Sequence, residues 1–306
     1  MSPELAVAAP APLARGLVLQ VIGLQRSGNH AIIDWIASLF PRAAHLNNLA
    51  HDFGRNPANV AGHPTFAGAD CRIVSFEDAR IKLARTADGG FRPLLDSVVP
   101  LDPDSLDEFD CRTLYILRDP YNCWASRVKA REAGGLTSPA ELDYFLDSWT
   151  AMARRHAAEP RSFVLYNAWF KDRAYRQAVC ARLGGSYSER TLGEVPLEGG
   201  GSSFDGAGRP SLRTMAKKLD YYRSPGFRRR LLQQPGSYLR RLLAPSVDGR
   251  QLQVDSRWQH LLGRDDARAL FEDATVRELS QRIFGFHVDG AGRVHRAAPG
   301  AERRSG

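Results

Sequence analysis

Residues 23 to 30, "GLQRSGNH", set Gly23 and Gly28 around Gln25, Arg26 and Ser27, with Asn29 and His30 directly after. The apolar run "LVLQVIG" at 17–23 leads into them and the helical pattern "AIIDWIASLF" follows. A glycine-rich turn between a strand and a helix aims backbone N–H groups and the positive end of the helix dipole at one point, which makes an anion cradle. Arg26, Ser27, Asn29 and His30 add side-chain donors to that cradle. Two further groups sit at strand ends. Glu77 and Asp78 close "CRIVSFED", where a carboxylate is suited to take a proton from a reacting group. Arg118 closes "RTLYILR", and Ser126 follows eight residues later on a helix, so the two can converge on one phosphate.

The first stretch has almost the spacing of the phosphate loop G-x-x-x-x-G-K-[ST]. Asn29 and His30, however, stand where the lysine and the magnesium-binding hydroxyl belong. Hydrolysis of a nucleoside triphosphate normally needs both. The expectation is therefore a cradle for a less highly charged phosphate group, with Arg26 as its main cation and no metal.

That combination resembles the 5′-phosphosulfate loop of the sulfotransferases that use 3′-phosphoadenosine-5′-phosphosulfate (PAPS). The family carries a P-K/R-S-G-T-T-type sequence after its first strand, and "LQRSGNH" matches it with arginine in the basic position. Asn29 and His30 replace the two hydroxyl residues. "LYILRDPYNCWASR", 114–127, resembles the family's 3′-phosphate motif, with Arg118 and Ser126 in the two binding positions. "VLYNAWFKDRAYRQAV" resembles the segment that borders the adenine, at Tyr166. "GGGSSFDG" lies where the family folds a loop over the 3′-phosphate, which brings in Ser202 and Ser203. "DSRWQHLL" and "RIFGF" resemble the C-terminal helical segment of bacterial-type members, so the likeness spans roughly 17 to 287.

The resemblance implies a three-layer P-loop-type α/β domain with a central parallel sheet flanked by helices and a helical C-terminal segment. It implies PAPS as donor, 3′,5′-ADP as product, no metal, and a hydroxyl or amine acceptor such as a small molecule or a saccharide. Arg26, His30 and Glu77 are the expected catalytic residues. Glu77 is similar to the strand-end glutamate of members acting on glycosaminoglycans, and a solvated strand-end acid is the alternative.

These residues need elements to hold them. "LVLQVIG", "CRIVSF", "RTLYIL" at 112–117 and "RSFVLY" at 161–166 read as buried strands, three of them followed by helical patterns, which argues for a parallel sheet covered on both faces. In "RDPYNCWASRVKAREAGG", Asp119 is a natural N-cap, Pro120 suits the first helical position, and Gly134-Gly135 supplies a stop. Leu142, Phe145, Leu146, Trp149 and Met152 recur at helical spacing and read as a core face. The expected division is a disordered lead over 1–15, one domain over 16–289 and a loose tail over 290–306. The Gly- and Ser-rich stretch 186–210 reads as a surface loop or one that closes over a ligand.

Composition narrows the partner. Forty-two Lys and Arg against 34 Asp and Glu leave a charge of +8, which favours an anionic ligand without choosing among nucleotide, saccharide, nucleic acid or lipid. A P-loop kinase or nucleotidase is a rival reading, but it needs the missing lysine. A nucleotide- or nucleic-acid-binding protein using the basic stretch 213–241 is another, with salt-dependent affinity as its mark; nucleic acid is not the expected partner. Cys71, Cys111, Cys123 and Cys180 form no C-x-x-C pair and read as free thiols. The histidines show no metal-ligand spacing beyond a bare pairing of His45 with His51. No stretch approaches about 18 uninterrupted apolar residues, so no transmembrane segment is expected. The cytoplasm is the expected compartment.

Overall fold

The computed structural model describes residues 16–56, 58–78, 92–102, 104–106, 109–132, 142–192, 232 and 254–297. Five parallel strands form the central sheet: β1 (Gly16–Gly23), β2 (Ala43–Leu46), β3 (Cys71–Glu77), β4 (Phe109–Leu117) and β5 (Phe163–Leu165), in the order β2-β3-β1-β4-β5. Parallel strands require crossovers, and helices supply them. Helix α1 (Asn29–Ala37) follows β1, and the single turns α2 (Ala58–Ala61) and α3 (Leu94–Ser97) flank β3. Helices α4 (Pro120–Glu132) and α5 (Leu142–Ala158) lie between β4 and β5. Helices α6 (Tyr166–Lys171) and α7 (Arg173–Leu183) follow β5, and α8 (Arg268–Glu272) and α9 (Ala274–Phe284) lead to a hairpin.

Side chains alternate across β1 with the strand period of two. Val18 and Ile22 join one buried cluster with Val74, Phe76, Trp124, Phe145, Trp149 and Leu279. Leu17, Leu19 and Val21 join the opposite one with Ile32, Trp35, Ile36, Val179 and Leu183. Each fully buried aliphatic or aromatic side chain contributes about 1.5–3 kcal/mol, so both faces are strongly held. Gln20 is the polar exception on β1. Its side chain donates to the Val99 carbonyl and accepts from Thr113 Oγ1, which satisfies it inside the sheet.

Register decides where the chemistry sits. Gly23 pairs with Glu77 on one side and with Ile116 on the other. The loop after β1, the acidic end of β3 and the arginine after β4 therefore share one carboxyl edge of the sheet, the usual ligand side of parallel α/β folds.

Several expectations are met and some are corrected. Asp119 caps α4, accepting from Asn122 N at 2.8 Å. The α4 stop at Gly134-Gly135 lies outside the described residues. Phe145, Trp149 and Met152 of α5 are fully buried, as a core face requires. The strand at 161–166 is shorter: residues 160–162 form a 3₁₀ turn and Tyr166 opens α6. This is an edge strand that β4 contacts over three residues, so little ladder exists to extend it. Strand β2 was not expected, because "AAHL" has no alternation to announce it. Part of the expected loose tail is ordered, since Phe286–Val288 (β6) and Val294–Arg296 (β7) pair as an antiparallel hairpin, and residues 298–306 lie outside the described residues. The lead over 1–15 and the basic stretch 213–241, apart from Leu232, lie outside the described residues.

Candidate active site

The turn after β1 depends on its two glycines for different reasons. Gly28 has φ 93°, a left-handed conformation, and a Cβ there would stand 2.1 Å from the Tyr166 ring. A Cβ at Gly23 would stand 2.1 Å from Asn29 Oδ1, so that glycine opens room for the Asn29 side chain. Ser27 and Asn29 are almost fully buried. Ser27 Oγ lies 2.6 Å from the Leu24 carbonyl and 2.9 Å from Asn29 Oδ1, while Asn29 Nδ2 donates to the Leu24 carbonyl and to Glu77 Oε1. Their side chains thus bind the loop to itself and to β3. What is offered to an anion is backbone: Gly28, as N-cap of α1, makes no side-chain cap hydrogen bond to the amides of the first turn.

Arg26 adopts φ 70°, one of two non-glycine residues with positive φ among those described. Burial, and then the neighbouring charge of Arg118, hold its guanidinium below the ordinary arginine pKa, with Glu77 acting in the opposite sense. Two guanidiniums repelling one another at a partly enclosed site are a place prepared for an anion. His30 Nε2 lies 3.6 Å from Glu77 Oε1, and its Nδ1 is buried without a hydrogen bond.

The end of β3 is not solvated. Glu77 is 6% exposed and Asp78 is fully buried. Asp78 pairs with the equally buried Arg127 of α4 at 2.5 Å and accepts from Gln25 N at 2.6 Å. Locked in that way, it is no proton acceptor for a substrate. Glu77 keeps that possibility, since Asn29 and His30 both address Oε1.

The second pole forms where β4 meets α4. Arg118 is 2% exposed and its Nη1 reaches both the Arg26 carbonyl (3.3 Å) and Ser126 Oγ (3.4 Å). Nη2 donates to the Val254 carbonyl, Nε is buried without a hydrogen bond, and the guanidinium lies 4.7 Å from the Tyr166 ring centroid. Arg257, from the 3₁₀ segment Arg257–Leu261, donates to the same Ser126 Oγ at 3.3 Å. That segment is seated by Asn122 Oδ1, which accepts from Trp258 N. Arg118, Ser126 and Arg257 thereby concentrate two positive charges and a hydroxyl, a geometry suited to a phosphate.

The structure gathers Gly23, Gln25, Arg26, Ser27, Gly28, Asn29, His30, Glu77, Arg118, Ser126 and Tyr166 on one edge. Ser202 and Ser203 lie outside the described residues. Sequence reasoning passed over Arg257 and Arg127. The only signal for Arg257 was its place inside "DSRWQHLL", and Arg127 directly follows the serine already singled out. His45 and His51 do not make a metal pair. His45 bonds Ser75 Oγ, while His51 bonds the Glu77 carbonyl and Ser97 Oγ, and no metal-holding group occurs among the described residues. All four cysteines are free; burial pushes the thiols of Cys71 and Cys123 up to about 12, which keeps them protonated and inert. No described helix is long and apolar enough to cross a membrane. No protein-family model matches the chain, and no curated protein matches it significantly.

Proposed function

We propose that this chain is a PAPS-dependent sulfotransferase built on a P-loop-type α/β domain. The observation that carries the reading is the pairing of two anion poles through Arg118, whose Nη1 addresses both the loop and Ser126. A donor with phosphate groups at its 5′ and 3′ positions needs two separate poles, whereas a nucleoside triphosphate needs one deep cradle with lysine and metal. The loop, with Arg26 and the first-turn amides of α1, takes the 5′-phosphosulfate group. Arg118, Ser126 and Arg257 take the 3′-phosphate. Tyr166, against Gly28 and Arg118, walls the nucleoside between them.

The chemistry follows from the same residues. The acceptor is a hydroxyl or amine, of a small molecule or a saccharide. It loses a proton to Glu77 as its oxygen or nitrogen bonds sulfur, while the bond from sulfur to the 5′-phosphate oxygen breaks. Negative charge grows on that leaving oxygen, and Arg26 with the loop amides stabilises it in place. His30, beside Glu77, stands ready to share the proton. The products are the sulfated acceptor and 3′,5′-ADP. Free thiols accord with a reducing compartment, the cytoplasm.

The test is ligand choice. 3′,5′-ADP without magnesium should raise the melting temperature, with a linkage of about 2.7 kcal/mol at a hundred times its dissociation constant. Strong stabilisation by magnesium-ATP together with none by 3′,5′-ADP overturns the reading.

A further inference from the structure

Asp78 and Arg127 are both inaccessible to solvent, and together they hold one residue of the loop by its backbone. Asp78 Oδ2 meets Arg127 Nη1 at 2.5 Å, and Oδ1 accepts from Gln25 N at 2.6 Å. Arg127 Nη1 also lies 3.4 Å from the Gln25 carbonyl, which Cys123 Sγ approaches at 3.8 Å. The N–H and the C=O of Gln25 are thus gripped from β3 on one side and α4 on the other. The pair is packed rather than wet. The rings of Phe145 and Trp124 stand 5.5 and 5.9 Å from the Arg127 guanidinium carbon, and Tyr144 of α5 is close enough to feel both charges.

Burying two charges costs desolvation that their attraction scarcely repays, so such a pair contributes little net stability. Its consequence is geometric. The next residue is Arg26, held in the left-handed region that an L residue occupies only when its surroundings over-determine it.

We propose that the Asp78–Arg127 pair is the positioning device of the phosphate loop: by pinning the Gln25 peptide it holds Arg26 left-handed, and so keeps its guanidinium beside Arg118 and the first-turn amides directed at the 5′-phosphate group. The role rests on the reading of the loop as the 5′ pole. Asp78 and Arg127 touch no ligand; they act through Gln25 and Arg26.

The experiment compares 5′-AMP, 3′-AMP and 3′,5′-ADP by calorimetry on the full chain, with hydrogen exchange of the Gln25–Asn29 amides alongside. Asp78→Asn keeps the shape and an acceptor for Gln25 N while removing the charge that orders Arg127. It should weaken 5′-AMP and 3′,5′-ADP about tenfold or more, equivalent to about 1.4 kcal/mol per tenfold. It should leave 3′-AMP unchanged and speed exchange in the loop relative to β1. Arg127→Lys keeps a positive charge near Asp78 but replaces the Nη1 that contacts both Asp78 and the Gln25 carbonyl with an ammonium on a stem of different length and shape. Its effect should have the same sign and be smaller, and it carries the test if Asp78→Asn does not fold. Equal weakening of 5′-AMP and 3′-AMP, or wild-type affinity with unchanged loop exchange, overturns the positioning role. If the wild-type chain binds none of the three nucleotides, the sulfotransferase reading falls, and the exchange comparison still decides whether the pair orders the loop.

Discussion

At the loop pole, Ser27 and Asn29 turn their side chains into the protein and leave mainly backbone on offer to the proposed 5′ group; at the α4 pole, Arg118, Ser126 and Arg257 offer side chains to the proposed 3′-phosphate. The first pole is a shape, held by glycines, by Asn29 on Glu77 and by Asp78 on Gln25. The second is a concentration of charge on a helix whose cap, Asp119, is itself buried and bonded to Asn122 and Asn167. Substitutions should therefore fail differently: at the loop by losing geometry, at α4 by losing one charged contact at a time. Arg118 belongs to both, through Arg26 O and Ser126 Oγ.

Glu77 offers the largest effect, because it serves the loop's shape through Asn29 and, in the proposed reaction, also takes the proton. Glu77→Gln preserves an acceptor for Asn29 while removing the base. Turnover should fall by about 10²–10⁴ with 3′,5′-ADP affinity near wild type. Turnover that survives would reduce Glu77 to a loop support and pass the proton to His30.

Gly28→Ala attacks shape directly. The added methyl meets the Tyr166 ring at 2.1 Å, and alanine must also occupy φ 93°. A loss of roughly 2–5 kcal/mol in unfolding free energy combines the left-handed penalty with overpacking. Denaturant titration measures it, and a change below about 0.5 kcal/mol would mean that the loop yields easily and is no preformed cradle.

The smallest effect sharpens the other pole. Arg257→Ala should weaken 3′,5′-ADP by about 1.5–3 kcal/mol, as expected for a charged hydrogen bond, and leave 5′-AMP nearly untouched. The same selectivity is expected of Arg118→Ala only in part, since Arg118 also holds the loop carbonyl of Arg26. Equal losses for both nucleotides in Arg257→Ala would remove it from the 3′ pole.

Local signals in the chain were enough for much of this. Apolar runs of strand length, a Pro after Asp119, and glycines around Arg26 are short-range features, and each is read within one turn of helix or one strand. They determined the parallel α/β class and the segments that carry Arg26, Glu77, Arg118 and Ser126. Tertiary structure alone decided the rest. Arg257 reaches Ser126 from 131 residues away, Asp78 reaches Arg127 from 49, and Gln25 is gripped by both partners of that pair. Adjacent Glu77 and Asp78 look equivalent as letters, yet Glu77 is the last residue of β3 and Asp78 lies just past the strand end, so their side chains meet different surroundings. One stays at the edge of the site beside Asn29 and His30, and the other vanishes into an ion pair, because the packing of α4 sets the buried Arg127 against Asp78.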